Sequence, residues 1–197
     1  MLGIDPGLTR CGVGIVDVSA TRTPVLVHVS VITTSPDLAL EERLMIVSAG
    51  IERLIDEHRP DSVAVERVFA QHNVRTVMGT AQVSGIALLA AARRSLPVGL
   101  HTPTEVKAAI TGYGQADKRQ VGTMVAKVLR LDEIPKPADA ADALALAICH
   151  AWRIPLGSGS GSSGSASGGA GTETPAQRAW RAAEQGTAKR VAARRLA

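Results

Sequence analysis

Aromatic side chains are almost missing from this 197-residue chain: Phe69, Tyr113, Trp152 and Trp180 are all it has. A core must therefore come from aliphatic residues, and each aromatic becomes a position to explain. Cysteine is as scarce. Cys11 and Cys149 stand far apart, without the spacing of metal ligands or of a disulfide framework. Both read as small buried hydrophobes in a reducing compartment. No apolar run approaches the roughly 20 residues of a membrane span. Met1-Leu2-Gly3-Ile4 leads directly to Asp5, with neither the basic region nor the cleavage site of a signal peptide. A cytoplasmic location, with no membrane partner, is the expectation.

What is present is apolar bulk: 45% of residues are hydrophobic, enough for a real core. The net charge of +4 is unevenly spread, since 157–197 holds six basic residues against Glu173 and Glu184 and accounts for all of it. Bulk charge before 157 is balanced, so any nucleic-acid footprint there must come from local placement. Residues 157–172 are almost entirely Gly and Ser, the composition of a flexible linker. The expected layout is a folded domain at 1–156, this linker, and a basic tail at 173–197, disordered or transiently helical.

Within the first segment, Val- and Ile-rich runs predict strands at 2–5, 12–18 and 24–33, arranged as an antiparallel meander. Helical spacing of Leu40, Leu44, Val47, Ile51, Leu54 and Ile55 predicts a helix over 38–58, stopped before Pro60. A strand at 62–68, an Ala-rich helix at 74–95, a strand at 98–101 and helices at 117–131 and 139–152 complete the order βββαβαβαα. This is an α/β pattern: a mixed five-stranded sheet flanked by helices on both faces.

Four carboxylates stand where folding has little use for them. Asp5 ends an apolar strand before Pro6-Gly7, and Glu66 follows Val63-Ala64-Val65. Asp139 and Asp142 lie three apart, on one helical face of an otherwise apolar segment. Taken singly, Asp5 also fits an Asx turn and Asp139 a helix cap. Together, desolvated acids repel one another and are costly unless a cation joins them; oxygen ligands of this kind suit Mg²⁺ or Mn²⁺.

The segments Gly3-Ile4-Asp5-Pro6-Gly7, Val65-Glu66-Arg67-Val68-Phe69 and Asp139-Ala140-Ala141-Asp142-Ala143-Leu144-Ala145 resemble the RuvC family of bacterial Holliday junction resolvases. The likeness continues through Thr80-Ala81-Gln82 and Glu105-Val106-Lys107, over most of 1–156. It implies a ribonuclease H-like fold and a homodimer, with Asp5, Glu66, Asp139 and Asp142 as catalytic, metal-binding acids holding two Mg²⁺ ions, for which Mn²⁺ can substitute. It further implies paired symmetric cuts in a four-way DNA junction, 5′-phosphate products, and work beside the branch-migration partners RuvA and RuvB in recombination and repair. The tail matches no motif of the family, and four residues before Asp5 make a short first strand, so a start slightly upstream is expected.

Phe69 lies in the polar stretch after Glu66, where it either packs under a loop or stacks on an opened base. The resemblance assigns it to DNA, and it assigns Lys107 and Lys118 to positions near the scissile phosphate. Tyr113, between two glycines, is a weaker stacking candidate, and Trp152 reads as core edge. Arg10, Arg67, Arg75 and Arg119 cannot be told from solvent-facing charge at this level. The Ala-rich helix offers small residues along one side, suited either to a dimer or to its own sheet. Three rivals remain: a ribonuclease H acting on hybrids, an actin-like phosphotransferase, for which the chain is too short, and a junction-binding module without catalysis.

Overall fold

The computed structural model describes residues 1–68 and 74–154. Phe69 and the expected linker and tail lie outside the described residues. Among the described residues the elements are β1 (Leu2–Asp5), β2 (Arg10–Val18), β3 (Pro24–Thr33), α1 (Leu40–His58), β4 (Val63–Glu66) and α2 (Val74–Arg93). They continue with β5 (Val98–His101), α3 (Pro103–Thr111), α4 (Lys118–Leu129) and α5 (Ala138–Arg153). The order is thus βββαβαβααα, one helix more than the sequence pattern predicts. That helix, α3, is only nine residues long. It is nucleated by a capping box: Glu105 N–H donates to Thr102 Oγ1 at 3.2 Å, and Thr102 N–H donates to Glu105 Oε2 at 2.8 Å. Pro103 supplies a preset first turn.

The five strands lie in the order β3-β2-β1-β4-β5. β1, β2 and β3 pair antiparallel, as the expected meander; β4 and β5 run parallel to β1. Strand alternation divides the core between two faces. Leu2, Ile4, Val63 and Val65 pack with Val47, Ile51 and Leu54 of α1 and Val83, Ala87 and Ala91 of α2. Val16 and Ala64, on the opposite face, meet Val106 and Ile110 of α3, Val121 and Val125 of α4, and Leu144 and Ile148 of α5.

α5 is buried along almost its whole length from Ala140 to Ala151. Glycines in β1 and β2 let it lie backbone against backbone on the sheet. A Cβ at Gly12 would overlap the Asp139 carbonyl oxygen, and one at Gly14 would sit 2.7 Å from Leu144 N. Cys11 and Cys149 are both buried, as expected. Trp152 is partly buried at the core edge, its Nε1 donating to the Arg22 carbonyl at 3.0 Å.

Candidate active site

β1 and β4 are parallel neighbours, Ile4 beside Val65, so Asp5 and Glu66 leave the sheet at the same edge. Antiparallel β2 starts at that edge, with Gly12 opposite Asp5. The start of α5 crosses over Gly12, and its first two turns carry Asp139 and Asp142 to the same place. From the other side come Lys107 on α3 and Lys118 at the first position of α4, where Asp117 caps the helix by accepting from Gln120 N–H at 2.8 Å. A cleft of about 270 Å³ is lined by Asp5, Glu66, Lys107, Lys118 and Asp142, with Pro103, Val106 and Val121. Five of the seven residues singled out in the sequence thus share one cleft. Asp139 is not on its wall, although its charge reaches Asp5.

The charges in this cleft are under strain. Burial first, then the carboxylates of Glu66, Asp142 and Asp139, push Asp5 up to about 7, against the pull of Lys118. Burial and then Asp142 raise Glu66 as well. Lys118 Nζ donates to Asp142 Oδ2 at 2.9 Å, and that bond raises the lysine. Arg10 Nε lies 2.8 Å from Asp139 Oδ2, close enough for an ion pair. The contact lacks hydrogen-bond geometry, so this buried oxygen has no hydrogen-bond partner.

Donor chemistry fits a hard divalent cation. All four acids are oxygen donors, one has a buried oxygen without a hydrogen bond, and another is driven toward neutrality by burial and by its acidic neighbours. Among the described residues no three His, Cys, Asp or Glu side chains close on one point. Two of the acids are turned instead to basic partners, Asp142 to Lys118 and Asp139 to Arg10.

Known proteins similar to this chain carry a common description. The profile of the family described as crossover junction endodeoxyribonuclease RuvC matches residues 1–150. The chain belongs to the RuvC family. A Leifsonia xyli subsp. xyli protein of that name is 62% identical over 203 residues, covering 100% of this chain and 98% of its own. The likeness therefore extends through the basic tail. A Clavibacter sepedonicus relative is 69% identical over 153 residues, 78% of this chain and 75% of that one. Among solved structures, Thermus thermophilus RuvC in complex with Holliday junction substrate superposes with a TM-score of 0.72 at 37% identity. It covers 76% of this chain and 91% of that one. The fold is ribonuclease H-like, as the family resemblance implied.

Two features of this RuvC-family site were not visible in the residues alone. One is Arg10, which the antiparallel β1–β2 pairing carries to the acidic edge. The other is a buried histidine pair. His101, facing Glu66 across β5 and β4, has its Nε2 2.9 Å from His150 Nδ1 of α5. Burial and then His101 hold His150 down to about 4, burial lowers His101 as well, and the pair ties β5 to α5. Tyr113 is 61% exposed beside a groove of about 570 Å³ that it shares with Arg119, Gln120 and Thr123. Its ring is not used by the core.

Proposed function

We propose that this chain is a crossover junction endodeoxyribonuclease that resolves Holliday junctions by paired, metal-dependent phosphodiester hydrolysis in recombination and DNA repair. The observation that carries this reading is the single cleft in which Asp5, Glu66 and Asp142 meet Lys107 and Lys118. Asp5 and Glu66, on the two central parallel strands, form a rigid floor, and Asp139 and Asp142 approach from α5. These four would hold Mg²⁺, or Mn²⁺ in its place, as two ions. Once bound, such ions supply an activated water and offset charge on the leaving 3′ oxygen, which gives 5′-phosphate ends. Lys107 and Lys118 draw a phosphate to the cleft, and Lys118 is placed to meet negative charge that develops there.

A two-fold homodimer fits the two equivalent strands of a junction, since its symmetry yields paired nicks. The exposed side of α2 offers an apolar face for it: Met78 and Leu89 are 54% and 51% exposed, with Ala81 and Gly85 exposed between them. RuvA and RuvB as partners, and the cytoplasm as place of action, belong to the same proposal, with family membership as their support.

The deciding assay uses a labelled synthetic four-way junction with and without Mg²⁺, beside duplex and RNA–DNA hybrid. Symmetric nicks in the junction are expected. Cleavage of the hybrid alone would select a ribonuclease H, and binding without cleavage a non-catalytic module.

Phe69→Ala is expected to fold normally, to cut intact junctions weakly, and to recover on junctions whose centre is already unpaired, because stacking assists opening at about 1–3 kcal/mol per base. Precipitation of the variant would mean that the ring packs into the protein instead. Removal of 157–197 should leave a junction-selective nuclease whose DNA binding is weaker at low salt and less salt-sensitive. Every phosphate that the tail no longer neutralises takes about 0.9 from the slope of log K against log salt. An unchanged slope would show that the tail does not touch DNA.

A further inference from the structure

We propose that Arg10 is a displaceable internal cation of the active site: it occupies the place of divalent metal on Asp139, and on metal binding it moves to a DNA phosphate on the β2 side of the cleft. The inference rests on the metal-dependent reading above and adds a residue that this reading does not use.

The geometry is asymmetric in a way that a structural ion pair need not be. Arg10 opens β2, two residues before Gly12, and its side chain is 56% exposed. The carboxylate it reaches is 17% exposed, with Oδ2 buried. The guanidinium therefore reaches from solvent into the acidic edge while most of it stays wet. It also fails to give Asp139 Oδ2 a proper hydrogen bond, so the oxygen keeps unspent capacity for a ligand. A hard cation beside that oxygen would satisfy it better and would repel Arg10.

Arg10 also differs from Lys118 in direction. Lys107 and Lys118 line the cleft on the β4–β5 and α4 side, whereas Arg10 stands on the β2 side, at the other acid of α5. A strand lying across the carboxylates with lysines on one flank meets a guanidinium on the other. Once released, that planar group suits a bidentate phosphate contact. Arg10 is thus a positioning residue: in the absence of metal it relieves repulsion among the acids, and in its presence it helps hold the DNA strand in register.

The test uses the full chain. Mn²⁺ binding without DNA is followed by the electron paramagnetic resonance signal of free Mn²⁺, for the wild type, Arg10→Gln and Arg10→Lys. Arg10→Gln is expected to bind Mn²⁺ about twofold to fivefold more tightly, the range set by a half-exposed ion pair. Arg10→Lys should stay near the wild type. Damage to the site would weaken binding, so the direction separates competition from a merely structural role. Unchanged or weaker binding in Arg10→Gln overturns the proposal while leaving the nuclease reading intact. Failure of the wild type to bind Mn²⁺ overturns the metal reading itself. Junction binding is then titrated against salt with and without Ca²⁺, a hard cation for the same carboxylates. With Ca²⁺ the salt slope of Arg10→Gln should be shallower than the wild type's by about 0.9, the share of one phosphate, and without Ca²⁺ the two slopes should agree. An equal difference in both conditions, or none in either, rules out the handover.

Discussion

Asp5→Asn is expected to abolish junction cleavage and, at pH 8 without divalent metal, to raise the melting temperature of the protein. Both effects have one cause. Burial and three neighbouring acids raise Asp5 from 3.8 to about 7. The folded chain therefore holds a proton that the unfolded chain has released between pH ~4 and ~7. Stability falls as the pH rises through that window, and above it the full cost of an ionised, crowded carboxylate is present. Some three pKa units set a ceiling of roughly 4 kcal/mol. Relaxation of the site brings the expected gain of the neutral amide to about 2 kcal/mol, or about 4–8 °C for a chain of this size. Thermal melts should show the gap between variant and wild type narrowing as the pH is lowered toward 4. Mg²⁺ should close it from the other side, by stabilising only the protein that retains the acid. Equal melting temperatures at pH 8, or appreciable nicking by the variant, would remove Asp5 from its assigned role.

A second large effect is expected at a residue that carries no side chain at all. Gly12→Ala places a methyl group against the Asp139 carbonyl oxygen, a backbone atom that cannot swing aside. α5 must lift from the sheet, at a cost of about 3 kcal/mol, the upper part of the range for overpacking. Its first two turns carry Asp139 and Asp142, so the surviving folded molecules should also be poor enzymes. A shift on the order of 1 Å in catalytic groups costs about a hundredfold in rate. Denaturant unfolding measures the first effect, and single-turnover cleavage, corrected for the folded fraction, measures the second. Wild-type stability would show that the helix has slack, and the close approach at Gly12 would then have no role in placing the acids.

The acids were legible in the sequence because each interrupts an apolar run at a place where burial makes a charge costly. The sheet was legible because its strands are short Val- and Ile-rich blocks between turn residues. α3 was not, although Thr102-Pro103-Thr104-Glu105 spells a helix start. Nine residues with only Val106 and Ile110 buried leave no sustained period to notice. Arg10 was beyond reach for a different reason. Nothing around it in the chain is unusual, and its meaning comes wholly from an antiparallel pairing that sets it beside a residue on the distant α5. Lys118 shows the same limit: a lysine at a helix start suggests a phosphate, and without DNA it bonds to Asp142.

The seating of α5 on β1 and β2 also bears on how the protein is made. Asp5 and Glu66 leave the ribosome early, whereas Asp139 and Asp142 arrive on the last described helix. That helix packs against the first two strands through the glycine backbones at Gly3, Gly12 and Gly14. At roughly 5–20 residues per second, a growing chain spends several seconds with half of its carboxylates and no lid over the sheet. A truncated or stalled product lacks the other half altogether. If the four acids form the proposed metal site, that site is assembled only when the last strand-covering helix has been made, and a partial chain has no nuclease centre.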